Sequence, residues 1–301
     1  MNTTVGKPVG VIGLGAMGMG VALSLLREGF EVHACDLRPE AVQKVVDAGG
    51  IRAESPAVLA PRVEVLITVV VNAEQTESVL FGEQGAVPRL CPGSVVIASA
   101  TVSPEFARAL GKRLADAGVL MIDGPISGGA AKALAGEMTV MSSGAPEAYA
   151  KCEDVLEAIA GKVYRLGGEA GPGSVMKMVN QLLTGVHIAA AGEAMALAIR
   201  AGADPGQVYE VITHSAGNSW MFENRVPHIL AADYTPLSAV NIFVKDLGIV
   251  LDYAKRAVFP LPLSAAAHQM YLSASAAGHG GEDDSAVIKV FPGIKLPEAK
   301  K

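Results

Sequence analysis

The stretch Val9-Gly-Val-Ile-Gly13-Leu14-Gly15-Ala16-Met17-Gly18 decides how this chain folds. A β-branched, apolar run passes into G-x-G-x-x-G, and the glycines pass into a helical pattern over 17–28. Each glycine permits something a side chain would prevent. Gly13 allows a tight turn, Gly15 lets backbone N–H groups approach a pyrophosphate, and Gly18 lets helix and strand pack closely. The helix start adds partial positive charge for the phosphates. Taken alone, G-x-G-x-x-G is often only a turn; here it follows a strand and opens a helix. The next strand, 31–35, runs into Asp36, 21 residues after Gly15. An acid there accepts the ribose hydroxyls of NAD and repels the 2′-phosphate of NADP. Arg38 is the counter-signal, because its guanidinium can neutralise a 2′-phosphate. The reading is a dinucleotide site with NAD preferred.

Working outward, apolar strand-like runs recur at 65–71, 95–98, 119–122, 139–141 and 163–166, with helical patterns at 40–48, 105–117 and 146–160 between them. Strands too continuously apolar to be half exposed, alternating with helices, predict an α/β, Rossmann-type, doubly wound parallel sheet. The run LGGEAGPG at 166–173 is the strongest punctuation in the chain. Beyond it, alanine-rich helical patterns at 174–201, 205–215, 239–257 and 263–277 predict an all-α C-terminal domain opened by a long helix. The expected division is a dinucleotide-binding domain over 1–167 and a helical substrate and oligomerisation domain over 168–301.

Composition narrows the function classes. With 301 residues, half of them apolar, the chain is long enough for two cores, since one core rarely grows past ~250–300 residues. A net charge of −6 argues against nucleic acid. Cys35, Cys91 and Cys152 form neither a disulfide framework nor a C-x-x-C metal site, and reduced cytoplasm is the expected location. The six histidines show no H-x-x-x-H pairing, so no metal is expected. There is no P-loop and no G-x-S-x-G elbow. The longest apolar stretch, 186–199, is broken by His187 and Glu193 and falls short of the ~20 residues of a membrane span.

On the long helix, Lys177, Asn180, Gln181 and Thr184 recur at i, i+3, i+4 and i+7 and make one narrow polar stripe. An ordinary surface helix has such a stripe too. A dinucleotide at hand gives the stripe a chemical role, because oxidising an alcohol needs a base for the hydroxyl proton, and a desolvated lysine serves in both directions. Asn180 can hold that lysine or the substrate hydroxyl. Asp123-Gly-Pro-Ile-Ser127-Gly128-Gly129 follows a strand, and its glycines expose N–H groups that suit a carboxylate beside the Ser127 hydroxyl; it reads equally as a tight connection. Lys245-Asp246 sits among apolar residues and reads equally as an ion pair on a packed helix.

GLGAMG at 13–18, DGPISGG at 123–129, GSVMKMVNQ at 173–181 and FVKDLG at 243–248, in this order, resemble the β-hydroxyacid dehydrogenase family over nearly the whole chain. The resemblance implies that Lys177 is the acid/base with Asn180 as its helper. It also implies that Ser127, Gly128 and Gly129 bind the substrate carboxylate. Thr101 would face the nicotinamide end, although Ala100 stands where relatives often carry Ser. Val71 and Asn72 would end the strand bordering NAD, and Lys245 would lie against cofactor and active site. Three further runs, GLGAMGMGVA, ISGGAAKALAGEMTVM and NSWMFENRVPH, are similar to members that oxidise a four-carbon sugar acid at C2 with NAD. A tartronate-semialdehyde, glyoxylate or 3-hydroxyisobutyrate enzyme is the alternative within the chemistry, and a non-catalytic NAD(H) sensor is the alternative outside it. Family members associate through their helical domains, so a homodimer or homotetramer is expected.

Overall fold

The computed structural model describes residues 6–298, which fall into two compact units that divide between Lys177 and Met178. The N-terminal unit runs β1 (Pro8–Ile12), α1 (Ala16–Arg27), β2 (Glu31–Cys35), α2 (Pro39–Asp47), β3 (Ile51–Arg52), α3 (Pro56–Leu59), β4 (Val65–Thr68) and α4 (Ala73–Phe81). It continues β5 (Val95–Ala98), α5 (Pro104–Asp116), β6 (Leu120–Asp123), β7 (Ile126–Ser127), α6 (Gly129–Ala135), β8 (Met138–Gly144), α7 (Pro146–Ile159) and β9 (Ala160–Arg165). The strand order β3-β2-β1-β4-β5-β6 is parallel throughout. The sheet then changes sense, with β8 antiparallel to β6 and β7, and β9 parallel to β8.

Alternation along the central strands explains why they read as solid apolar runs. Val65 and Ile67 bury into one core with Val9, Val11, Val95 and Ile97, while Leu66 and Val96 bury into another on the opposite face. A strand covered on both faces favours apolar residues at successive positions; the polar exceptions in β4 and β6, Thr68 and Asp123, fall at strand ends.

The expected strand over 65–71 ends at Thr68. Val69 donates its N–H back to the carbonyl of Ile12, and Asn72 caps α4 by accepting from the Gln75 N–H at 2.8 Å. Val71 and Asn72 therefore lie in a turn, with Val71 exposed, rather than ending the strand. The β-branched run hid this turn, because strand propensity persists where the backbone has already bent.

Helix α8 (Pro172–Arg200) starts in the N-terminal unit and continues in the helical one, where α9 (Pro205–Thr213), α10 (Trp220–Ala231), α11 (Val240–Arg256) and α12 (Pro262–Ala274) follow. Helix α10 carries Pro227 inside it. A proline cannot donate to the carbonyl of Glu223 four residues back, and the hydroxyl of Tyr209 donates there instead, at 3.2 Å. By length and composition alone, α8 is long and apolar enough to cross a membrane, contrary to the sequence expectation, which weighed only 186–199.

Candidate active site

Parallel strands place the loops after β1, β4 and β5 along one edge of the sheet, so the glycine loop, Val71–Asn72 and Thr101 share that edge. Strand order reverses between β1 and β4, where open α/β sheets bind dinucleotides. Gly13 sits at φ +90°, and a Cβ on it would lie 2.5 Å from the Val69 carbonyl oxygen. A Cβ on Gly18 would run into the carbonyl of Gly13. At Gly15, which caps α1, the Cβ position meets nothing within 4 Å, leaving open space against the backbone. The three glycines thus divide into turn, approach and packing, and the loop fits a dinucleotide pyrophosphate.

Asp36 is pinned beneath this loop. Its Oδ2 accepts from the Leu14 N–H at 2.6 Å, and its Oδ1 accepts from Arg38 N at 2.8 Å and Nε at 3.1 Å. Arg38 Nη2 donates in turn to the Leu14 carbonyl at 2.9 Å. Burial alone would raise the carboxyl, but the bonds from Arg38 and Leu14 outweigh it and hold Asp36 below its ordinary range. An open pocket beside the loop is lined by Gly15, Ala16, Met19, Arg38 and Lys44. Arg38 therefore serves Asp36 directly, a link sequence spacing does not reveal.

Asp123, at the end of β6, is buried and organises the start of α8. It accepts from the N–H groups of Gly171 and Ser174, both at 2.9 Å, and from the Ser174 hydroxyl at 2.7 Å. Burial raises its carboxyl above the ordinary range, with these bonds opposing the rise. A Cβ on Gly173 would lie 2.5 Å from the Asp123 carbonyl oxygen, so only glycine lets the helix start this close. Three residues after Asp123, the Ile126 carbonyl accepts from Lys177 Nζ at 2.8 Å, and Lys177 is 7% exposed. Gly128 and Gly129 then follow Ser127 at φ +133° and +77°, and nothing lies within 4 Å of a Cβ position on Gly129. The lysine and the Ser-Gly-Gly turn are thereby brought to one segment. The role of Asp123 was missed, although an acid closing an apolar strand is a readable signal.

In the helical unit, Asn180 Nδ2 donates to Gln181 Oε1 at 3.0 Å, and Gln181 Nε2 donates to Asp246 Oδ2 at 2.5 Å. Lys245 Nζ pairs with Asp246 Oδ1 at 2.5 Å. The Lys245–Asp246 pair lies within α11 and reaches α8 through Gln181. Among the described residues no group of three His, Cys, Asp or Glu side chains is placed to hold a metal.

A family model described as the NAD binding domain of 6-phosphogluconate dehydrogenase matches residues 8–168. A second, described as NAD-binding of NADP-dependent 3-hydroxyisobutyrate dehydrogenase, matches 171–291. L-threonate dehydrogenase of Cupriavidus necator is 69% identical over 291 residues, 97% of this chain and 98% of the relative. The chain belongs to the β-hydroxyacid dehydrogenase family.

It is an NAD-dependent hydroxyacid dehydrogenase with a Rossmann-type domain and an all-helical C-terminal domain. L-threonate dehydrogenase of Escherichia coli K12 is 53% identical, covering 97% of each chain. A crystal structure of a 3-hydroxyisobutyrate dehydrogenase from Salmonella typhimurium is 51% identical at a TM-score of 0.91, covering 95% of this chain and all of that one. In this dehydrogenase, the motifs that sequence singled out sit at the sheet edge after β1, β4 and β5, at the start of α8 and in the α8–α11 hydrogen-bond chain.

Proposed function

We propose that this dehydrogenase oxidises L-threonate at C2 to 2-dehydro-L-erythronate, with Lys177 as general acid/base. The observation that carries the substrate is the 69% identity, over nearly the full length, to an L-threonate dehydrogenase. The division of labour we assign is NAD binding over 1–167 and substrate binding and association over 168–301; two separate family matches, at 8–168 and 171–291, support a boundary there.

NAD is held by the loop Gly13, Leu14, Gly15, Ala16, Met17 and Gly18, with Asp36 at the adenosine ribose. Val71, Asn72 and Thr101 flank it along the sheet edge, and Lys245 is assigned to it on the family resemblance. Bound there, NAD would supply the hydride acceptor for C2 of the substrate. Ser127, Gly128 and Gly129 hold the substrate carboxylate through the hydroxyl and the glycine backbone. Lys177 takes the hydroxyl proton during oxidation and returns it during reduction. The bond from Nζ to the Ile126 carbonyl holds the amine in place in either protonation state. Asn180 holds the reacting hydroxyl.

The enzyme works as a homodimer or homotetramer in the cytoplasm. Exposed Leu197, Val211, Phe259 and Leu263 on the helical unit support association, and three free cysteines support a reducing compartment. A second reading, 3-hydroxyisobutyrate as substrate, is favoured by the Salmonella relative's name. The test is NADH formation at 340 nm with L- and D-threonate, both erythronates, D-glycerate and 3-hydroxyisobutyrate, each with NAD and NADP. The expected result is a clear preference for L-threonate with NAD. Preference for 3-hydroxyisobutyrate or D-glycerate would discard the substrate assignment.

A further inference from the structure

Gln181 stands outside the residues assigned above, yet it is only 7% exposed and links Asn180 to Asp246, the partner of Lys245. The polarity of its hydrogen-bond chain is dictated from one end. The Asp246 carboxylate only accepts, so Gln181 must turn its NH2 toward it. The Gln181 carbonyl then faces Asn180, which must answer with its own NH2. A second constraint arrives independently. Thr184 donates its hydroxyl hydrogen to the Asn180 main-chain carbonyl at 2.8 Å, so toward Asn180 Nδ2, 3.4 Å away, it can only accept. Both hydrogens of the Asn180 amide are spent within α8. Its Oδ1 takes no hydrogen bond among the described residues.

We infer that Gln181 is a positioning residue: anchored by Asp246, it fixes the Asn180 amide so that Asn180 offers a ligand an acceptor and not a donor. The inference rests on Asn180 serving the reaction as proposed above. An acceptor suits the O–H of a hydroxy acid and gives nothing to the C=O of the oxidised product. Asp246 also holds Lys245, so one buried carboxylate sets two residues of the helical unit at once.

The test is a double-mutant cycle on NADH formation, using the hydroxy acid this enzyme turns over best. Gln181→Met should lower kcat/KM for the acid about tenfold, the worth of one well-placed hydrogen bond. The KM for NAD should stay within about twofold, because the relay acts on substrate and not on uniform cofactor binding. Asn180→Ala combined with Gln181→Met should be no worse than Asn180→Ala alone. Additive losses, or Gln181→Met at the wild-type level, would overturn the inference. Asn180→Ala at the wild-type level would instead remove the catalytic reading beneath it, and the inference with it.

Gln181→Glu supplies a test that survives if the Met variant does not fold. A protonated Glu keeps a donor for Asp246 and an acceptor for Asn180; an ionised one keeps only acceptors and faces a carboxylate. Its kcat/KM relative to wild type should be near one at the acid end and fall as pH rises. A ratio that is flat across pH would contradict the relay.

Discussion

Lys177 Nζ donates a 2.8 Å hydrogen bond to the main-chain carbonyl of Ile126, the residue immediately before Ser127. A peptide carbonyl accepts from ammonium and amine alike. The lysine can therefore keep its place through a cycle in which it gains and loses a proton. The bond also ties the start of α8 to the residue before the Ser-Gly-Gly turn, so the proposed acid/base and the proposed carboxylate site are set by one contact within the N-terminal unit.

Cofactor choice should follow Asp36. Asp36→Ala removes the charge that repels a 2′-phosphate and releases Arg38 to meet one. Discrimination against NADP, measured as the ratio of kcat/KM with NAD to that with NADP, should drop by on the order of tenfold. An unchanged ratio would assign cofactor choice to another group.

The same carboxylate predicts an acid sensitivity. Its folded pKa lies below the usual value of 3.8, so it stabilises the fold fully above that value and progressively less as pH falls through the lower folded one. The Tm gap between wild type and Asp36→Asn should hold steady down to about pH 4 and close below it. A gap that widens in acid would show that the latch between Leu14, Asp36 and Arg38 is not what sets this carboxyl.

The proposed role of the Ser-Gly-Gly turn in holding a carboxylate predicts a KM effect. Ser127→Ala should raise KM for the hydroxy acid several-fold with kcat little changed, as expected for uniform ground-state and transition-state binding. Gly129→Val should do more, since it forces a branched side chain to φ +77°. NAD binding, followed by NADH fluorescence, should be retained in both. Unchanged steady-state constants would remove the turn from the substrate site.

The strand, glycine loop, helix and acid over 9–36 were legible because the glycines' demands are local and the period of each element is short. The N-terminal limit of α8 and the lysine stripe were legible for the same reason. The turn at Val69–Val71 was masked by β-branched residues, and α10 by Pro227, whose lost bond is made good by Tyr209 from another helix. The antiparallel insertion of β7 and β8 depends on pairing across the sheet, which no local period records. Long-range polar links were invisible for the same reason: Asp123 meets Ser174 and Gln181 meets Asp246 across 51 and 65 positions of sequence. The residue types were on view, but their partners were not.

The most direct test of the account is Lys177→Ala, assayed for turnover of the best hydroxy acid alongside NADH binding by fluorescence titration. General acid/base catalysis by a positioned side chain is worth about 10²–10⁴ in rate, so turnover should fall by that order while NADH affinity stays within about threefold. Turnover retained within a few-fold of wild type, with NADH bound normally, would contradict the assignment of Lys177 as the proton-transferring group.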